Sequence, residues 1–311
     1  MTKFSKDTKI FIAGHNGMVG SACWRLFKKR GYLNLIGKSS KELDLRDQKA
    51  VLDFFKKNNP EVVIDAAARV GGIWANNEYP YEFLLDNMQI QNSLIQNSLN
   101  FDVKKFIFLG SSCIYPKMST QPIKEECLLT GPLEETNQWY AIAKISGVKL
   151  IESIRKQFEK DYISLMPTNL YGPGDNYNLK TSHVLPALIR KFHEAKINNK
   201  DVELWGSGKP LREFLFVEDL AEAILFALQN NLDKPLYNVG SGEEISICKL
   251  AKKIQKHIGH KSEIIWNSTM PDGTPKKLLD SSKINSLGFR FKTNLDNGIK
   301  ITYQDFLNSN N

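Results

Sequence analysis

The apolar run Lys9-Ile-Phe-Ile-Ala13 breaks straight into Gly14-His-Asn-Gly17-Met-Val-Gly20, and helical spacing of Val19, Ala22, Cys23, Leu26 and Phe27 follows at once. A buried strand that passes to a helix through glycines has to lay that helix on a face of a sheet, and few folds begin this way. Glycines in the G-x-x-G-x-x-G form let the chain turn tightly, let the backbone approach a pyrophosphate and let the helix pack close to the strand. The N-terminus of that helix faces the phosphates. Gly14, Asn16, Gly17, Met18, Val19 and Gly20 are therefore candidates for holding a dinucleotide.

The alternation continues. Apolar periodicity predicts strands at 9–14, 33–37, 61–67, 104–110 and 161–167, with helices from 18, near 47–58, at 80–100 and at 138–160 between them. Such alternation signals right-handed βαβ units and an α/β fold with a doubly wound parallel sheet. After Tyr171-Gly-Pro-Gly174 the pattern is more broken, with short strands at Val202–Trp205 and Glu263–Trp266 and helices near 183–195, 247–258 and 295–308. Between them, Phe214-Leu-Phe-Val217, a helix at 218–230 and Pro235–Val239 again read as strand, helix, strand.

Two stretches carry chemistry. Lys105-Phe-Ile-Phe-Leu-Gly110 is an apolar strand ending in Ser111, Ser112 and Cys113, and ligands bind outside the carboxyl ends of such strands. If the chain stays extended there, Ser111 and Cys113 share a face. Tyr140-Ala-Ile-Ala-Lys144 sets a phenol and an ammonium one helical turn apart on one face. A cation beside a phenol favours the phenolate, bringing Tyr140 toward proton exchange with a carbonyl or carbinol oxygen.

Bulk properties exclude other classes. The charge of +8 comes from lysines scattered along helices, as in Lys28-Lys29 and Lys252-Lys253, which argues against a nucleic-acid partner. Cys23, Cys113, Cys127 and Cys248 show no Cys-x-x-Cys, which argues against a zinc site or a disulfide framework and for a reducing cytoplasm. No apolar run approaches a bilayer's span, and the first residues lack an apolar signal core, so no membrane partner is expected.

Taken together, these motifs resemble the extended short-chain dehydrogenase/reductases, and within them the GDP-L-fucose synthase family of epimerase/reductases. The resemblance is carried by Phe11–Ser21, Val70-Gly-Gly-Ile73, Ala75-Asn-Asn77, Leu109–Lys117, Tyr140–Lys144, Met166–Pro173, Trp205-Gly-Ser-Gly208, Arg212-Glu-Phe214 and Pro271–Pro275. It implies NADP(H) as cofactor, a GDP-linked 4-keto-6-deoxy sugar as substrate and a homodimer. It implies Ser111, Tyr140 and Lys144 as reductive residues and Cys113 and His183 as the epimerising pair. Leu109, Gly110, Ser112, Pro167, Thr168, Asn169, Leu170, Lys144 and His183 would join the glycine loop around the cofactor, and Lys191, Trp205, Arg212, Asp272 and Lys277 would hold the substrate.

The same resemblance implies a cofactor domain of residues 1–171 and 214–240 and a discontinuous substrate lobe of 172–213 and 241–311. Two departures stand out: Lys191 and Asn16 occupy positions where relatives often carry arginine. The end of the second strand, Gly37-Lys38-Ser39-Ser40-Lys41, lacks an acid that would hydrogen-bond a free 2′-hydroxyl, and Lys38 with its serines suits a 2′-phosphate instead.

Overall fold

A computed structural model describes residues 4–269, 272 and 274–309. The first half alternates β1 (Ile10–Ala13), α1 (Met18–Lys29), β2 (Leu35–Ile36), α2 (Gln48–Asn58), β3 (Val62–Asp65), α3 (Ile73–Glu78), α4 (Pro80–Asn100), β4 (Lys105–Leu109), α5 (Gln138–Phe158) and β5 (Asp161–Pro167). The second half runs β6 (Asn169–Tyr171), α6 (Val184–Ile197), β7 (Val202–Trp205), β8 (Leu211–Phe216), α7 (Val217–Gln229), β9 (Leu236–Val239), β10 (Glu244–Ser246), α8 (Ile247–Ile258), β11 (Ile264–Asn267), β12 (Lys276–Lys277), α9 (Ser282–Ser286) and α10 (Leu295–Ser309).

Local chemistry explains several boundaries. The Asp47 carboxylate accepts from the N–H groups of Lys49 and Ala50 at the start of α2, and Pro80 opens α4, where a missing N–H costs nothing. Strands β1, β3 and β4 are buried along their whole length, which is why they read as unbroken apolar runs rather than alternating ones.

Six parallel strands form the main sheet in the order β2-β1-β3-β4-β5-β9. Strand order reverses at β1 and β3, so the ligand crevice lies beyond their carboxyl ends. Side chains alternate across the sheet: Ile10, Ile12, Val62 and Ile64 pack with α1 and α7, whereas Phe11, Val63, Phe106 and Phe108 pack with α2, α4 and α5. A third core gathers α6, α8 and α10 over β7 and β8.

The strand expected at Phe214–Val217 starts three residues earlier and joins a second sheet. It is Leu211–Phe216, and it pairs with β6, β10 and β12 in a second sheet, because β9 already occupies the edge of β5 through Ser164 opposite Leu236. The strand expected at 33–37 contracts to two edge residues, and the one at Glu263–Trp266 shifts to Ile264–Asn267, parallel to β7. Strands of two or three residues such as β6, β10 and β12 are too short to show a period, so they were not foreseen.

Candidate active site

At the glycine turn, Gly14 adopts φ +76°, and a Cβ there would lie 2.6 Å from the Ala66 carbonyl oxygen at the end of β3. A Cβ on Gly20 would come within 2.1 Å of the Gly14 oxygen. Turn, strand and helix thus interlock at distances that only glycine permits. Gly17 caps α1 with no side-chain acceptor, and Asn16 and Gly17 are exposed, Met18 and Val19 half-buried and Gly20 buried. The first N–H groups of α1 therefore have the geometry to receive a pyrophosphate. Leu109, Gly110, Ser112, Pro167 and Thr168 are buried at the neighbouring strand ends, with Asn169 and Leu170 half-buried beside them.

Beyond β2 a turn closes on Glu42: its carboxylate accepts from Lys38 Nζ at 3.0 Å, Ser39 N at 2.9 Å and Ser39 Oγ at 2.8 Å. These bonds, led by the Ser39 N–H, hold its pKa down at about 2.

At the end of β4 the chain does not stay extended. Residues Ser112–Ile114 form one turn of 3₁₀ helix, capped by Ser111, whose Oγ accepts the Cys113 N–H at 3.3 Å. This turn, and not strand alternation, sets Cys113 beside Ser111. Cys113 is buried, which pushes its thiol pKa up, while the charge of Lys277 and a hydrogen bond from Ser111 pull the other way.

Lys144 is buried on α5 and donates to the Leu109 carbonyl at 2.9 Å, its ammonium 4.7 Å from the Phe108 ring centre and 5.8 Å from that of Tyr140. The phenolate expectation fails: burial pushes the Tyr140 phenol well above its ordinary range, and Cys113 and Asp65 add to the rise. The phenol accordingly keeps its proton, the form a proton donor requires. Asp65 was missed in the sequence, though an acid closing the apolar run Val62-Val-Ile-Asp65 is a signal. It is buried beside Phe108 in register, its Oδ1 accepts the Ala67 N–H at 3.2 Å, and its Oδ2 has no partner. Burial lifts its pKa to about 6, against the pull of Lys144.

The sequence matches the NAD dependent epimerase/dehydratase family over residues 10–240. This chain belongs to that family. GDP-L-fucose synthase 1 of Arabidopsis thaliana is 52% identical over 303 residues, covering 97% of this chain and 94% of that protein. Among solved structures, a GDP-6-OMe-4-keto-L-xylo-heptose reductase from C. jejuni superposes with a TM-score of 0.94 at 36% identity, covering 99% of each chain. A GDP-L-fucose synthetase from Naegleria fowleri bound to NADP gives 0.91 at 32% identity, covering 100% of this chain and 97% of that one. The expected resemblance and fold class are thereby met, and this member of the epimerase/dehydratase family stands with the GDP-L-fucose synthases.

Facing the strand ends, β12 and β8 set Lys277 opposite Arg212 in register. Burial lowers the pKa of Lys277, with the charge of Cys113 opposing that fall, so the two groups lie within electrostatic reach of each other. Arg212 spends Nη1 on the carbonyls of Leu211 and Thr274 at 2.8 and 2.6 Å, which fixes its guanidinium at the strand edge. Asp272 holds the Gly206–Gly208 turn by accepting from Ser207 N and Oγ at 2.8 and 2.6 Å; its neighbours Pro271 and Gly273 lie outside the described residues. Lys191 donates to the Glu203 carbonyl and stands 5.7 Å over the exposed Trp205 ring. Lys191, Trp205 and Asp272 thus gather around β7, and Arg212 and Lys277 around β8.

His183 caps α6 and is exposed, although the protein packed around it lowers its ring pKa by desolvation. Its loop is clasped by Gly72, whose N–H donates to the Thr181 carbonyl at 2.8 Å and where a Cβ would lie 2.6 Å from the Ser182 oxygen. That close approach is the physical content of Val70-Gly-Gly-Ile73. Among the described residues there is no His, Cys, Asp or Glu group that could hold a metal, and no helix long and apolar enough to cross a membrane.

Proposed function

We propose that this chain reduces the C4 ketone of a GDP-linked 4-keto-6-deoxy sugar with NADPH, coupled to epimerisation at C3 and C5, in the manner of a GDP-L-fucose synthase. The observation that carries the reading is the meeting of a proton-bearing Tyr140, a buried Lys144 and Cys113 at the end of β4. The glycine cradle at β1 and the first turn of α1 would hold the cofactor's pyrophosphate, and Lys144 its nicotinamide ribose. NADPH, when bound, supplies the hydride that the ketone needs.

Each residue then has a distinct task. Ser111, fixed beside Cys113 by the Cys113 N–H to its Oγ, turns its O–H to the C4 oxygen when the ketone is bound. Tyr140 gives its proton to that oxygen as negative charge develops there, so the ketone becomes a carbinol and the phenol is restored from solvent. Before reduction, the C4 carbonyl acidifies the C–H bonds at C3 and C5. Cys113 and His183 remove and return protons at those carbons from opposite faces, Lys277 favouring the thiolate. Arg212 clamps the diphosphate, Lys191, Asp272 and Lys277 complete the charged contacts, and Trp205 covers the nucleotide base.

Residues 1–171 and 214–240 serve the cofactor in this reading, and 172–213 and 241–311 the sugar nucleotide. The enzyme would act as a homodimer in a reducing cytoplasm, without nucleic-acid or membrane partners. A second reading is favoured by the heptose reductase likeness: reduction of a related GDP-4-keto-6-deoxy-heptose, with Cys113 and His183 binding but moving no proton. A panel of GDP-4-keto-6-deoxy hexoses and heptoses, incubated with NADPH in deuterated water, separates the two. Deuterium at C3 and C5 of a reduced hexose supports the first, unlabelled reduced heptose the second, and no NADPH loss with any substrate refutes both.

A further inference from the structure

Asp65 closes β3 inside the site, and the mechanism above gives it no task. It is 1% exposed. In register it stands beside Phe108 of β4, on the sheet face that α4 and α5 cover, and the Lys144 ammonium lies over that same Phe108 ring, 4.7 Å from its centre. One carboxylate oxygen of Asp65 accepts the Ala67 N–H at 3.2 Å; the other is buried with no hydrogen-bond partner. Lys144 spends one donor on the Leu109 carbonyl at 2.9 Å. The titratable groups gathered here are Lys144 and Tyr140 from α5 and Cys113 from the turn after β4, while α4, packed across β3, brings the buried and uncharged Asn87 and Gln91. A carboxylate kept out of water with half of its acceptors idle costs stability, and such a cost survives where function uses it.

We propose that Asp65 is a positioning residue for the reduction: its carboxylate is the counter-charge that keeps Lys144 an ammonium and Tyr140 a phenol until the C4 oxygen takes the phenol's proton. An anion raises the proton affinity of every acid near it, and Asp65 acts in that direction on both residues. Its own pKa of about 6 leaves it mostly ionised at neutral pH, so the charge is present during turnover. Without that charge, burial strips the proton from Lys144 at a lower pH, and any cation that remains draws Tyr140 toward a phenolate, which has no proton to give. A bare turn-capping role is the simpler account, because an aspartate often accepts the N–H two residues on. Charge separates the two accounts. Asp65→Asn keeps an oxygen for the Ala67 N–H and removes the negative charge.

The inference rests on the reading of the chain as a nicotinamide-dependent reductase, and its first readout needs no turnover. In the full chain carrying lysine labelled with carbon-13 at Cε, the Lys144 resonance, assigned by its loss in Lys144→Arg, is followed against pH by NMR. Asp65→Asn is expected to move that titration down by about one pH unit, and to move the basic limb of kcat for NADPH oxidation down with it, KM changing less than about threefold. A Lys144 titration or a basic limb that stays within about 0.2 pH unit of the wild type overturns the inference alone. A wild-type chain that oxidises NADPH with no GDP-4-keto-6-deoxy sugar refutes the functional reading, and this inference with it.

Discussion

On the sheet side of the site, Lys144 and Cys113 are 3% and 6% exposed, whereas on the opposite side Trp205 is 63% exposed. The first group is set by the ends of fully buried parallel strands and by α5, which presses on them. The second is set by strands of a four-stranded and a two-stranded sheet and by turns held with side-chain bonds, as Asp272 holds Ser207. The difference teaches where each task can live. Burial changes proton affinities and fixes atoms closely enough for bond making, while open charge and ring faces serve recognition, where a bound nucleotide completes the packing.

That contrast can be broken most directly at Tyr140. Tyr140→Phe is expected to lower kcat about a thousandfold with KM changed less than about threefold, measured by NADPH oxidation in steady state. A variant that loses affinity and keeps turnover would move Tyr140 to the recognition side. Cys113→Ala should cut deuterium entry at C3 and C5 by about a hundredfold, read by NMR, while a dinucleotide still binds. Retained labelling would assign that proton transfer elsewhere.

Asp65 sharpens the claim that the sheet side is electrostatically loaded. Its carboxyl pKa is raised by the fold to about 6, so in the folded chain the ionised form is disfavoured and stability falls as pH rises from about 4 to about 6. At about 1.4 kcal/mol per pH unit, roughly 3 kcal/mol is withheld above that window. Asp65→Asn is expected to melt above the wild type at pH 7.5, with its advantage growing between pH 4 and 6 and constant beyond; equal melting curves at both ends would remove the buried charge from the account. The smallest effect belongs to the open side: Trp205→Ala should raise KM for the sugar nucleotide about tenfold and leave kcat in place, and a loss confined to kcat would contradict the division.

The legibility of the chain follows the same line. Strands β1, β3, β4 and β5 were readable because a parallel strand covered on both faces needs an unbroken apolar run. The Tyr140–Lys144 spacing was readable because a helix fixes which residues share a face. The phenol's direction of shift was not, since it depends on how much protein surrounds Tyr140 and on Asp65, 75 positions earlier in the chain. Glu42 escaped for a related reason: a turn returned it to Lys38 and Ser39, and local hydrogen bonds of that kind leave only a faint trace in sequence.

By itself, then, the order of residues determined a doubly wound sheet, a glycine cradle between β1 and α1, and a serine, tyrosine and lysine set at one end of it. Those features rest on local periodicity and on backbone approaches that glycine alone allows. Only the tertiary structure decided that β8 leaves the main sheet, that Gly72 clasps the loop of His183, and that the charge of Lys277 reaches Cys113. Each of these joins groups far apart in the chain, and their energies come from burial and distance, which neighbouring residues do not encode.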